Sequence, residues 1–243
     1  MLIKACLNGS RERDEHPGLP LMPEELAREA RVTIEVGAGA LHIHPRNSQG
    51  AQSLAPQVIG EALRAVRKSC PGIPVGVSTG LWIESTVEWR LESVRAWRVL
   101  PDFASVNFSE PGAPELCALL QTRGVGIEAG LSTLEDAEAF LASGYAPRCL
   151  RILLEPEEVE VCAALRTVES IVARLHTARV WRPLLLHGFE QTAWPLLDAA
   201  LAHGYDTRIG FEDTLTLPDG SRATSNAQLV SAAVEKADLY HYS

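Results

Sequence analysis

Short apolar runs alternate with amphipathic stretches from one end of the chain to the other. Runs at residues 2–7, 40–44, 74–78, 103–107, 125–128, 149–154, 183–187 and 207–212 read as strands. They are too short for helices and rich in Val, Ile and Leu. The segments between them carry apolar residues at helical spacing, as with Ile59, Leu63 and Val66 within 52–67. Helices are predicted from Pro23, over 52–67, over 85–99, from Pro114, after Ser132, over 156–175, over 192–203 and over 225–236. Pro23 suits a first helical turn, with Glu24 and Glu25 facing the positive end of the dipole. Ser132, followed three residues on by Glu135, reads as a capping box.

Strict alternation of strand and helix implies parallel strands with helical crossovers. Eight such units in 243 residues predict a single-domain (β/α)8 TIM barrel spanning residues 1–243. A doubly wound open sheet is the alternative. It would normally carry a glycine-rich phosphate loop, and neither G-x-G-x-x-G nor a Walker sequence is present.

Composition narrows the picture. The formal net charge of −9 argues against nonspecific nucleic-acid binding, which needs a basic surface. It does not argue against a small anionic substrate, because one local arginine outweighs a distant surface. Cys6, Cys70, Cys117, Cys149 and Cys162 lack C-x-x-C spacing and suggest reduced, mostly buried thiols in a cytoplasmic protein. No signal peptide and no membrane span is expected, since no run of 18 apolar residues occurs.

In a barrel of this type the chemistry lies at the C-terminal ends of the strands. Those ends carry Asn8 to Arg11, then His42 and His44, then Ser78-Thr79-Gly80, then Ser105 and Asn107, Glu128, Glu155, His187, and finally Arg208 to Asp213. Strand side chains alternate in direction, so His42 and His44 point the same way. With Glu212 as third ligand they make a two-histidine, one-carboxylate set with an open position, a catalytic zinc pattern. The competing interpretation of Arg208, Glu212 and Asp213 is an ordinary ion-pair cluster. Ser78, Thr79 and Gly80 could bind a ligand or simply cap the next helix. Asn107 could hold a carboxylate or its own loop. Glu128 could support a metal-bound histidine or an ion pair, and His187 reads as structural.

Taken together, several segments resemble the β-keto acid cleavage enzyme family. They include Lys4-Ala5-Cys6-Leu7-Asn8-Gly9, Pro23-Glu24-Glu25-Leu26-Ala27, His42-Ile43-His44-Pro45-Arg46, Gly76-Val77-Ser78-Thr79-Gly80, Ala104-Ser105-Val106-Asn107, Gly126-Ile127-Glu128 and Arg208-Ile209-Gly210-Phe211-Glu212-Asp213. The resemblance implies a (β/α)8 barrel, a divalent metal (usually zinc) and a homo-oligomer, dimer or tetramer. It implies that a β-keto acid and acetyl-CoA give acetoacetate and a new acyl-CoA. His42, His44 and Glu212 would be the metal ligands. Ser78, Ser105 and Asn107, with Thr79 and Gly80 beside them, would hold the keto acid. Glu128 would be a supporting acid. Arg208 and Asp213 would be the catalytic pair, Asp213 generating the acetyl-CoA carbon nucleophile. Many relatives carry an acidic residue in the first loop where Arg11 stands here. This departure predicts a substrate whose far end is anionic or neutral. A metal-dependent hydrolase on the same fold and a noncatalytic metal- or metabolite-binding protein are the alternatives.

Overall fold

The computed structural model describes residues 1–241. Eight parallel strands close into a barrel in sequence order. They are β1 (Ile3–Cys6), β2 (Ala40–Ile43), β3 (Val75–Ser78), β4 (Phe103–Asn107), β5 (Gly126–Leu131), β6 (Arg151–Leu154), β7 (Leu184–Leu186) and β8 (Asp206–Ile209). The helices on the outside are α1 (Pro23–Glu35), α2 (Pro56–Ser69), α3 (Val87–Ala96), α4 (Ala113–Thr122), α5 (Leu134–Ser143), α6 (Val161–Thr177), α7 (Ala193–His203) and α8 (Asn226–His241). The (β/α)8 barrel is therefore the architecture, and the open sheet is excluded by the β1–β8 pairing. Among the described residues no helix is long and apolar enough to cross a membrane. The five cysteines are free, and only Cys162 is exposed.

The outward strand faces pack on the helices through residues such as Leu41, Ile43, Val75, Val77, Ala104 and Ile152. The inward faces are strongly polar. Lys4 Nζ donates to Glu128 Oε2 at 2.6 Å, both groups fully buried, and Arg151 Nε lies 3.2 Å from Glu128 Oε1. Arg151 also meets Asp206 at 3.3 Å. Register fixes the height of this cluster. Glu128 pairs with Ser105 and Arg151, whereas Asn107 pairs with Gly130 one layer nearer the mouth.

Several boundaries differ from the sequence expectation, each for a local reason. α2 starts at Pro56, not at residue 52. Residues 46–52 instead turn back on themselves through the Arg46–Gln52 bridge. The cap of α5 is Thr133, not Ser132. Thr133 Oγ1 accepts from Asp136 N, and Asp136 Oδ2 accepts from Thr133 N, so Asp136 rather than Glu135 completes the capping box. α6 begins at Val161, five residues later than the proline at 156 suggested. β5 runs on to Leu131, which puts Glu128 in mid-strand. β8 stops at Ile209, so Glu212 and Asp213 stand on the turn beyond it.

Candidate active site

His42 projects from β2 and His44 from the residue just after it. Their Nε2 atoms lie 3.1 Å apart. Glu212 reaches over from the β8 turn, 3.8 Å from His42 Nε2 and 3.6 Å from His44 Nε2. The three ligand atoms lie within 4.8 Å of one another. Two nitrogens bound tetrahedrally at the usual zinc–nitrogen length of about 2.0–2.1 Å would be about 3.3 Å apart, so the spacing suits one ion. The donor chemistry agrees. His44 Nδ1 lies 2.7 Å from Gln52 Oε1, a bond that places the proton on Nδ1 and leaves Nε2 a free lone pair. Glu212 Oε2 is buried without a hydrogen-bond partner. Burial holds His42 well below the usual histidine range, so it is a neutral donor.

The backbone is built to bring these groups together. Asn8 clamps His44, its Oδ1 accepting from His44 N and its Nδ2 donating to His44 O, both at 2.9 Å. Gly9 adopts φ +57, and a Cβ there would meet Glu212 Cγ at 2.5 Å. Glycine is therefore required twice over, for the left-handed backbone and for the approach of the ligand. Asn226 fixes the β8 turn by accepting from Phe211 N at 2.7 Å and donating to Leu7 O at 3.1 Å.

Arg208 joins the metal cluster to the acid behind it. Its Nε donates to Asp213 Oδ1 at 3.0 Å, and one terminal nitrogen lies 2.8 Å from Asp213 Oδ1 and 3.0 Å from Glu212 Oε1. Asp213 is fully buried, and its Oδ2 has no hydrogen-bond partner. Burial pushes its carboxyl up to about 7, against the opposing pull of Arg208. His187 Nδ1 lies 3.5 Å from Asp213 Oδ1, and His187 Nε2 lies 3.2 Å from Glu155 Oε2. Burial keeps His187 well below the usual histidine range.

A cavity of about 260 Å³ opens over this cluster. Among its lining residues are His42, His44, Glu212 and Arg208, with Ser78, Ser105 and Asn107 on the β3–β4 wall and Glu155 and Glu157 on the β6 side. The structure thus brings together the expected ligands and three of the expected substrate residues. It does not bring the rest to the cavity. Thr79 Oγ1 donates to Ser105 O, and Gly80 N donates to Ser78 Oγ, so both support the wall without lining it. Glu128 lies in the layer below, paired with Lys4 and Arg151. Asp213 is reached only past its neighbours. The Arg11 guanidinium is tied to Phe211 O, Glu15 and Glu190. Sequence reasoning gave Gln52 no role, because position 52 lay inside an expected helix. Glu155 and His187 were visible as strand ends, but nothing in the pattern linked them to Asp213.

The family model described as beta-keto acid cleavage enzyme matches residues 1–242. The chain is 24% identical over 254 residues to the 3-keto-5-aminohexanoate cleavage enzyme of Fusobacterium nucleatum subsp. nucleatum, covering 98% of this chain and 91% of that protein. It is 35% identical over 81 residues to the 3-oxoadipate:acetyl-CoA acetyltransferase of Cupriavidus necator, covering 32% of this chain and 28% of that one. Among solved structures, 3-dehydroquinate dehydratase from Aquifex aeolicus VF5 superposes with a TM-score of 0.60 at 15% identity, covering 98% of each chain, a likeness of fold alone.

Proposed function

The chain belongs to the beta-keto acid cleavage enzyme family, and from that premise we propose that it exchanges the acyl group of a β-keto acid with acetyl-CoA, giving acetoacetate and a new acyl-CoA. The observation that carries this reading is the His42–His44–Glu212 cluster at the mouth of the cavity, with the Arg208–Asp213 pair directly beside it. A divalent cation held by those three side chains, zinc on the pattern of two imidazoles and a carboxylate with an open position, would supply Lewis-acid polarisation of the ketone.

The remaining steps belong to the side chains. Ser78, Ser105 and Asn107 offer hydrogen bonds to the carboxylate and ketone of the keto acid from the β3–β4 wall. Asp213 is the base. A carboxyl near 7 is matched to proton transfer at neutral pH, and its Oδ2, though buried behind the cavity lining, carries no hydrogen bond that would compete for the proton. Arg208 orients Asp213 and ties it to Glu212.

Atom balance assigns the proton to C2 of the β-keto acid rather than to acetyl-CoA. Were the acetyl-CoA carbon to add to the ketone, cleavage would release acetate and not acetoacetate. C2, flanked by ketone and carboxylate, instead attacks the acetyl thioester carbonyl, and CoA leaves as thiolate. The thiolate then adds to the original ketone carbon. The C2–C3 bond breaks, C2 recovers its proton from Asp213, and the new acyl-CoA departs. Asp213 takes and returns one proton.

The same reading carries a cytoplasmic protein and a homo-oligomer, and light scattering of the purified protein checks the oligomer. The deciding experiment is a product assay. Zinc-loaded protein is incubated with acetyl-CoA and a panel of β-keto acids, and acetoacetate and new acyl-CoA are followed by mass spectrometry with His44→Ala as control. Both products forming together, and only with the intact site, is the expected result. Free CoA and unchanged keto acid would replace it with hydrolysis.

A further inference from the structure

Arg11 departs from the family pattern, yet it is not among the residues lining the cavity. Its largely buried guanidinium instead spans three loops. Nε donates to Phe211 O on the turn after β8. One terminal nitrogen donates to Glu15 at 3.0 Å within the loop after β1, and the other donates to Glu190 on the loop between β7 and α7. Glu190 closes the circuit, since its own N–H donates to Asp213 O at 2.7 Å. The carbonyls of the residues on either side of Glu212 are therefore both held, one by Arg11 directly and one through Glu190.

The N–H groups of that turn are already committed. Phe211 N donates to Asn226, Glu212 N to Cys6 O at 3.2 Å and Asp213 N to Gly210 O at 2.9 Å. Arg11 and Glu190 supply the matching restraint on the carbonyl side. A charged donor makes the stronger kind of hydrogen bond, and the rigid guanidinium fork serves several loops at once. The backbone of Glu190 points the same way. Its φ of +48 lies in the left-handed region, which suits glycine and is costly for a residue with a side chain. Such strain persists where surrounding contacts over-determine it. Here those contacts are the Asp213 carbonyl and the Arg11 guanidinium. A glycine at position 190 would keep the first and lose the second.

We propose that Arg11 and Glu190 are positioning residues, which together bracket the turn after β8 and hold Glu212 toward His42 and His44 with Asp213 beside it. The proposal rests on the metal site rather than on the product formed, and it gives Arg11 a role away from the substrate's tail. The test compares wild type with Arg11→Lys, Arg11→Gln and Glu190→Gly. Zinc Kd is read by chelator competition, melting temperature on the metal-free proteins, and kcat/KM on β-keto acids of equal length ending in a carboxylate, a hydroxyl or a methyl group. Glu190→Gly removes the strain and the carboxylate at once. Its metal-free melting temperature is expected to stay close to that of wild type while zinc Kd rises about 10–100-fold. An ion pair that only stabilised the fold would do the opposite, lowering the melting temperature and leaving Kd alone. Arg11→Gln raises Kd to the same extent. Arg11→Lys, which keeps the charge but not the fork, falls between it and wild type. The ratios among the three tails stay unchanged in every variant. A zinc Kd untouched in Glu190→Gly overturns the proposal, and that variant decides even where Arg11→Gln fails to fold. Tail ratios that shift in the Arg11 variants while Kd holds would return Arg11 to the substrate. Failure of every keto acid to give acetoacetate would remove the cleavage reading, and zinc Kd would still decide the bracket.

Discussion

Two opposing forces act on Asp213. Burial disfavours its charge, and the Arg208 guanidinium favours it, with burial the larger, so its carboxyl is raised to about 7. The charged form is the base. Lowering the pH through 7 therefore protonates it, and kcat/KM falls about tenfold per pH unit below that point and levels off above it. Asp213→Asn abolishes this limb and lowers kcat by about 10²–10⁴-fold, with metal content unchanged. A steady-state pH profile alongside metal analysis checks both halves, and near-normal turnover in the variant would remove Asp213 from the mechanism. A second residue acts one step further out. Gln52 Oε1 fixes the His44 ring through Nδ1. Gln52→Ala is expected to weaken metal affinity by about 10–100-fold without removing a ligand. His44→Ala loses metal and activity together. Competition with a chromogenic chelator separates the two variants. The contrast marks what a sequence discloses at this scale. His42 and His44 are legible because strand alternation alone puts them on one side. Glu155 and His187 meet across different βα units, which no local pattern encodes, and Gln52 reaches His44 only because the β2–α2 loop folds back on itself where the sequence reads as helix.

The elements themselves were legible because burial enforces their periods, while their ends depend on which polar group captures the free backbone N–H groups. At α5, Ser132, Thr133, Glu135 and Asp136 offer two overlapping capping boxes one residue apart. Thr133 and Asp136 form the one observed, and Asp136 Oδ2 also accepts from Ser132 N. Position 52 looked helical, yet the Asn47 side chain accepts from Gln49 N and Ala51 N and holds the preceding segment as a turn. Glu25 illustrates the energetic weight of such an end. Its Oε2 accepts from Leu21 N and Met22 N and meets Arg13 at 2.7 Å. Burial raises its carboxyl, but Arg13 and the two N–H groups together outweigh that and lower it to about 2. Between about 4.5 and 2 the unfolded chain binds the extra proton, so the contribution is complete above that window and fades as the pH falls through it. Glu25→Ala is expected to cost about 1 kcal/mol at neutral pH. Thermal melts of metal-free protein should show a deficit of about 2–4 °C at pH 7 that shrinks toward pH 2. A pH-independent deficit would assign the loss to packing instead.

At the scale of the whole molecule, the barrel draws together residues far apart in sequence and leaves some of their metal-binding atoms unsatisfied until an ion arrives. The interior below the mouth neutralises itself, Lys4 and Arg151 against Glu128 and Asp206. At the mouth, His42 and His44 present adjacent nitrogens, and Glu212 keeps a buried oxygen with no partner. The three ligands come from β2 and the turn after β8, which meet only through β1 in the closed sheet. Their convergence is a property of the folded barrel, so metal binds the native state and not the unfolded chain, and binding becomes stability. At a free metal concentration about 100 times Kd, the gain is about 2.7 kcal/mol. For a barrel of this size that corresponds to about 5–10 °C in melting temperature. Calorimetric scans of chelator-treated protein titrated with zinc should show that rise, saturating at one ion per chain. His44→Ala should show none of it, starting from a metal-free melting temperature close to that of the parent. If the rise persisted in His44→Ala, the stabilising ion would lie elsewhere in the molecule, and the mouth cluster would lose its claim to the metal.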